Sequence, residues 1–544
     1  MAYIKENLRG IDNMVFLNDF KTENNSYQEA LRKAICYCKD NNEKLLTMKQ
    51  GKYDFYEEGC FTQYLNITNH GYPGEKNIAA LIKDMEDFCI DGNGSELNFY
   101  GVICPFVIDN SQNIRIKNFN LNTEDVFNFQ ARVVESTKDY VLCSHNYDKI
   151  IFEDGQIFVS ENKFSIANIL EYNYETYAPE SGLGNQDLGV HSKELTYEKV
   201  SETEFKVYGH KVNPKVNNYL IMMFCPRIAA GIFINNSKNI SVENTTLYNG
   251  FGMGCVAQRS ENIYLHKFNT QHKEGKYFSI NADATHFTNC KGLVMLEDCH
   301  FTNQLDDGLN IHGIYTKITK KAEDCLTVKY MHPAALGIDV FTDGSVIRAV
   351  KETSLLPTGG EQKIIKTEKI DLETLKIYLS STDGFEVGNL IENMTWNAEL
   401  VVRNCSFKSN KCRGILVATN KKVVIENNYF HNLGCGIKFE CDGKYWFESG
   451  ATSDITIINN TFDHCIYGKR DKAVIEFSSR DEVENGKYYH NKVKISKNTF
   501  NTGGEQLFYA DNVKEFYFTD NEINSADNKK PYTIINNEYQ QIDI

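Results

Sequence analysis

LVVRNCSF at residues 400–407 and VVIENNYF at residues 423–430 are one eight-residue phrase repeated 23 positions apart. Each has apolar residues at alternate positions, then a polar corner containing Asn, then an aromatic residue. The phrase returns as IRIKNFNL from Ile114, ISVENTTL from Ile240, VMLEDCHF from Val294, ITIINNTF from Ile455, VKISKNTF from Val493 and FYFTDNEI from Phe516, with a weaker copy from Ile263. The steps from 240 to 263 and from 493 to 516 are again 23 residues. That period is too short for a propeller blade, and alternation with period 2 argues against a helical repeat. It fits one coil of a parallel β-helix, in which each coil adds short strands to several parallel sheets and inward residues stack into a continuous core. Asn suits the corners because it tolerates left-handed backbone geometry and bonds neighbouring peptide groups. The expected fold is all-β, a right-handed parallel β-helix.

Two stretches break the rhythm, 148–220 and 315–397. The second holds CLTVKYM, SVIRAV, KIIKTEKI and TLKIYLSS between turn-like PTGGE and STDG; the first holds QIFVSEN and EFKVYGHKV. Short alternating runs of this kind predict two small antiparallel β-barrel or sandwich domains inserted in the helix. At the N-terminus, SYQEALRKAICYCKDNN places Leu31, Ala34, Ile35 and Cys38 at helical spacing. A helix there would cap the first coil, whose open end exposes apolar side chains and strand edges. The organisation read from sequence is a cap over 1–85, first coils over 86–147, the first insertion over 148–220, coils over 221–314, the second insertion over 315–397 and final coils over 398–544.

The chain has 544 residues and a net charge of −15, which argues against a nucleic-acid or polyanion binder. No basic, apolar and small leader precedes the first motif, and no apolar run approaches the ~18 residues of a membrane span. The reading is a soluble chain with no membrane partner, cytoplasmic or secreted with its leader removed; oligomerisation with its own copies stays open. Of the 16 cysteines, Cys290, Cys299, Cys405, Cys435 and Cys465 fall at corner or core positions and are expected to be reduced structural thiols. Cys36 and Cys38 lack zinc-site spacing.

NADATHFTNCKGLVMLEDCHFTNQLDDGLNIHG, residues 281–313, carries Asp283, Asp306 and Asp307. Asp306 lies 12 positions after Val294; Asp283 lies 20 after Ile263 in a coil of 31, eight over the period. If the extra eight fall in QHKEGKYF, Asp283 aligns with Asp306; strand phase aligns it with Asp307 instead. Either way, strands ~4.8 Å apart crowd the three carboxylates together. Such crowding favours holding at least one proton at neutral pH. A protonated acid beside an ionised base is what inverting glycoside hydrolysis requires. A bare Asp-Asp-Gly is more often a solvated turn; the stacked third aspartate moves the reading toward a site.

After the corner each coil reads Gly, apolar, x, apolar, x: GCVAQ from Gly254, GLNIH from Gly308, GILVA from Gly414 and GIKFE from Gly436. The outward positions are then Asn310 and His312, with His286, Gln258, Lys438 and Glu440 in register and Arg413 in the aspartate column. Each alone reads as an exposed strand residue, and Lys438 is left so. Together His286, Asn310, His312, Gln258, Arg413 and Glu440 form a polar wall suited to sugar hydroxyls. Trp446 reads equally as a sugar-stacking indole or a packing contact.

These motifs resemble glycoside hydrolase family 110, the α-1,3-galactosidases. The resemblance is carried by DATHFTNCKG, LDDGLNIHG, CRGILVATNKKVVIENNYF and YWFESG, and extends through GKYDFY, CIDGNGSELNF, PFVIDNSQNIRIKNF and GMGCVAQRSENI. It implies an inverting exo-hydrolase that removes terminal α-1,3-linked galactose, blood-group-B-type glycans included, with no metal or other cofactor. The family's catalytic carboxylates correspond to Asp283, Asp306 and Asp307. The related polygalacturonase arrangement implies Asp306 as acid and the other two as bases. The rivals are a β-helix polysaccharide lyase or uronate-acting hydrolase, with Ca²⁺ on the carboxylates and Arg413 or Lys438 recruited as base, and a non-catalytic glycan-binding β-helix.

Overall fold

The computed structural model describes residues 14–544 apart from 72, 125–127, 149, 160–163, 181–186, 225–226, 469–470, 480–483, 485 and 527–530. The repeat phrases stack in register. Ile114 pairs with Ile240, Ile240 with Ile263, Ile263 with Val294, and Val294 with Leu400. The column continues through Val423, Ile455, Val493 and Phe516, all in parallel pairing. The chain is a parallel β-helix.

Each part of the phrase has its own stack. Alternate aliphatic residues point inward and are wholly buried, as at Leu400, Val423, Ile455 and Val493. The closing aromatics Phe407, Phe430, Phe462 and Phe500 stack with ring centroids 5.0 Å apart. At the corner, Asn427 and Asn459 adopt φ of 58° and 56°. The buried Asn beside each turn then bonds along the column, Asn428 to Asn460 at 2.9 Å and Asn460 to Asn498 at 3.0 Å. Asn thus serves the corner twice, as a left-handed residue and as a buried amide satisfied by its copy one coil away.

Two antiparallel sheets interrupt the coils. An eight-stranded sheet runs from Phe129 to Phe224, and a seven-stranded sheet from Thr316 to Asn393. Each encloses its own apolar cluster. The first sheet begins well before residue 148, because Phe129–Ser136 and Val141–Ser144 pair inside it. Alternation alone does not separate those strands from β-helix strands.

The helix Tyr27–Asn41 starts at Ser26, whose hydroxyl accepts from the Glu29 N–H, and ends at Asn42 with φ of 57°. Its buried Leu31, Ala34, Ile35 and Cys38 join the β-helix core and close the first coil. Beyond it, Leu65 and Ile67 pack on the outer side of the coils against Phe233 and Val256. This lays the segment 65–70 across the sheet face that carries the polar column. All fifteen described cysteines are free thiols; Cys225 lies outside the described residues. No described helix is long and apolar enough to cross a membrane.

Candidate active site

The polar column is set by backbone pairing. Thr285 pairs with Leu309 and Leu309 with Ile415. Just before these strands, the Ala284 N–H donates to the Asp307 carbonyl at 2.9 Å and the Gly308 N–H to the Arg413 carbonyl at 3.0 Å. Asp283, Asp307 and Arg413 therefore occupy one column, as strand phase requires, and Asp306 sits beside it. The corner needs glycine at 308: a Cβ there would come 2.3 Å from the Phe407 ring and 2.6 Å from the Gly414 carbonyl oxygen.

The three aspartates line a cavity of about 240 Å³ with Asn310, Arg413, Glu440 and Trp446. Asn69 comes to its wall from the segment 65–70, and Asn168 and Met223 from the eight-stranded sheet. The cavity is thus built by three separate parts of the fold.

Arg227 reaches Asp306 Oδ2 at 2.6 Å, and Arg413 reaches Asp307 Oδ2 at 2.6 Å while its backbone N–H donates to Asp307 Oδ1 at 2.8 Å. Asp283 Oδ2 lies 2.8 Å from His286 Nδ1. Burial works to raise the Asp306 carboxyl, but Arg227, Arg413 and Lys411 hold it down at about 2. Burial, reinforced by the charge on Asp306, pushes Asp283 up to about 7. Burial also pushes Asp307 up, against Arg413. The site therefore combines a carboxylate held ionised with a neighbouring carboxyl that favours its proton.

Asp306, Asp307 and Cys412 place ligand atoms within 4.8 Å of one another. Guanidinium groups already occupy an oxygen of each carboxylate, so the charge a cation would supply is present, and we assign no metal there.

Three residues expected on the sugar-facing wall are not on it. Gln258 is buried, accepting from the Thr68 N–H at 2.9 Å and donating to the Asn66 carbonyl at 2.8 Å. His286 and His312 are 0% and 5% exposed and lie beneath Asn69 and the strand Glu448–Ser449. The column does point outward from the coils; the segment 65–70 roofs it, and no periodicity reports such a roof. Lys438 is likewise not an exposed strand residue: it is buried, 3.3 Å from both Glu440 and Glu476.

Trp446 is 39% exposed, its ring 4.8 Å from His332 of the seven-stranded insertion. Asp442 fixes its turn by accepting from the Lys444, Tyr445 and Trp446 N–H groups at 2.8 Å each. The indole lines the cavity rather than the core.

Arg227, Lys411, Asp442 and Glu448 also line the cavity and were not anticipated. Lys411 falls one coil after Leu305, outside the aspartate column, so the repeat gave no signal for it. Arg227 follows the last strand of the eight-stranded sheet and belongs to no repeat.

Crowded carboxylates on a rigid β-helix face in a polar pocket are the kind of arrangement that glycoside hydrolysis uses. Residues 358–450 match the family model described as right handed beta helix region. The sequence is 30% identical over 525 residues to alpha-1,3-galactosidase A of Shewanella woodyi, covering 94% of this chain and 85% of that protein. It is 30% identical over 522 residues to alpha-1,3-galactosidase B of Bacteroides thetaiotaomicron, covering 92% and 84%. Among solved structures it is similar to the A-module of the Azotobacter vinelandii mannuronan C-5 epimerase AlgE4, with 8% identity, coverage of 98% and 100%, and a TM-score of 0.43. The chain belongs to the α-1,3-galactosidase family.

Proposed function

We propose that this chain is an exo-acting, inverting galactosidase that releases terminal α-1,3-linked galactose from blood-group-B-type or linear α-Gal-1,3-Gal glycans. The observation that carries it is the gathering of Asp283, Asp306 and Asp307 at one cavity, with Arg227 on Asp306 and His286 on Asp283. Exo action is supported by the walls: Asn69, Asn168 and Trp446 close the cavity from three parts of the fold, leaving room for a chain end. Asn310 and Arg413 line the cavity, and Asn310 Oδ1 and Arg413 Nε are buried there without a hydrogen-bond partner. The substrate class follows from family membership.

Asp306, held ionised by Arg227, is the base that takes a proton from water. Asp283 is the acid that protonates the leaving oxygen. Asp307, with both oxygens bonded to Arg413, orients that guanidinium. A second reading keeps Asp306 as acid. It is favoured by the exposure of that side chain, 24% against 5% for Asp283 and 2% for Asp307, and requires Arg227 to leave on substrate binding.

Proton NMR of the first-formed sugar from an α-Gal-1,3-Gal disaccharide tests the reaction: β-galactose is expected, and early α-galactose refutes inversion. Asn variants at 283, 306 and 307 test the roles. Each is expected to be folded and to lose ~10²–10⁴-fold on the disaccharide. On an activated aryl α-galactoside, which needs little protonation, only Asp283→Asn recovers; recovery by Asp306→Asn instead establishes the second reading.

A further inference from the structure

Behind Asp283 lies a file of buried rings that the proposed chemistry does not use. His286 Nδ1 is 2.8 Å from Asp283 Oδ2, and His286 Nε2 is 3.1 Å from His312 Nε2. His312 Nδ1 is 2.7 Å from the Gly313 carbonyl oxygen, and its Nε2 is 3.6 Å from Glu448 Oε1.

The contacts are compatible with one arrangement of protons that links all three groups. Asn69 Nδ2 donates to His286 Nε2 at 3.1 Å, so that nitrogen is bare and the proton is on Nδ1, which donates to Asp283 Oδ2. His286 is a neutral ring: burial, and then His312, hold its pKa well below the ordinary histidine value. In the state the relay starts from, His312 carries protons on both nitrogens, Nδ1 toward the Gly313 carbonyl and Nε2 toward His286. Its charge is balanced by Glu448, which lines the cavity. The acid proton of Asp283 is then on Oδ1.

We propose that His286 and His312 form a proton relay backing Asp283, with Glu448 as the counter-charge at its far end; the proposal rests on Asp283 as the general acid. As Asp283 gives its Oδ1 proton to the leaving oxygen, His286 passes the Nδ1 proton to Oδ2 and takes one at Nε2 from His312. The leaving hydroxyl gains one proton, the carboxyl stays neutral, and His312 goes from imidazolium to neutral imidazole. His312 recovers its proton from the pocket side past Glu448, and Asp306 releases the proton taken from water. The physical need is the burial of Asp283, which is 3% exposed. Donation without the relay would leave an ionised carboxylate there, beside Asp306.

The groups facing the relay are Asp306, Asp307, Arg227, Arg413 and Glu448 around Asp283, Asn69 and His70 on His286, and Thr288 and Glu448 around His312. Loss of the proton that Asp283 donates sets the alkaline limb of kcat. His312→Phe keeps the ring volume and cannot carry a proton. On the disaccharide we expect kcat to fall about tenfold or more, KM to stay within about twofold, and the alkaline limb to move. Glu448→Gln keeps shape and removes the counter-charge. It should shift the alkaline limb to lower pH, because the Glu448 charge helps to hold the Asp283 carboxyl up. A folded His312→Phe with wild-type kcat and pH profile, or with a loss confined to KM, overturns the relay. So does an unmoved limb in Glu448→Gln, which decides the matter should His312→Phe fail to fold. Asp283→Asn is measured alongside. If it is inactive while the relay variants behave as wild type, only the relay falls; if it is fully active, the assignment of Asp283 falls first.

Discussion

Replacing Arg227 by Met removes the cation that holds Asp306 ionised while keeping most of the side-chain volume. The guanidinium lies 2.6 Å from Asp306 Oδ2, with the two side chains 25% and 24% exposed. Two unit charges ~4 Å apart at an effective dielectric of ~20 interact by ~4 kcal/mol, a ceiling for this partly solvated pair. An Asp beside one Arg is typically lowered by ~1–3 units, or ~1.4–4 kcal/mol. Arg413 and Lys411 remain, so the Asp306 carboxyl is expected to rise from about 2 to between ~3 and ~5. As the proposed base, Asp306 acts in its ionised form, so activity is expected to be lost as pH falls through its pKa. The wild-type acid limb therefore lies below the usual assay range, and the variant's limb moves into it. The assay is kcat/KM for the disaccharide from pH 3.5 to 7, with circular dichroism at each pH to exclude acid unfolding. A profile as flat as wild type would refute the charge argument. Higher activity on the alkaline side, with no acid limb, would make Asp306 the proton donor.

Asp283 also affects stability, with a sign that can be checked. Its folded pKa, about 7, lies above the ordinary carboxyl value, so its contribution is fully present below that ordinary value and lost as pH rises through 7. Asp283→Asn carries no such cost, and its Tm advantage over wild type is expected to be larger at pH 8 than at pH 4.5; a pH-independent difference would contradict this. Phe430→Ala, which opens a gap in the aromatic stack where Phe430 is 0% exposed, is expected to cost ~3–5 kcal/mol in chemical denaturation. A loss under 1 kcal/mol would mean the column closes over the gap. Because guanidinium groups occupy the carboxylates, chelator is expected to leave activity unchanged; loss restored by Ca²⁺ would favour a lyase.

The solenoid and the column of crowded aspartates were legible without coordinates because both are consequences of one short period. Ile114 to Phe516 repeat at coil spacing, and parallel pairing converts that spacing directly into stacking. Asp283 needed the strand phase as well, and the phase of Thr285 and Phe287 correctly set it opposite Asp307. The insertions announced themselves by broken rhythm, but the start of the first was hidden because Phe129–Ser136 alternates like any coil strand.

Sequence by itself determined the β-helix, the helix that closes its first coil and the crowding of Asp283 with Asp306 and Asp307, since each depends on local pattern or on neighbours one coil away. Tertiary structure alone decided which column residues meet the pocket. Asn69 and Thr68, some 190 to 220 positions from their partners, cover His286 and Gln258. It alone also decided the charge of each carboxylate, because Arg227 arrives at Asp306 from outside the repeat. A period constrains only what repeats, and the roof and the arginine each occur once, held by packing between distant segments.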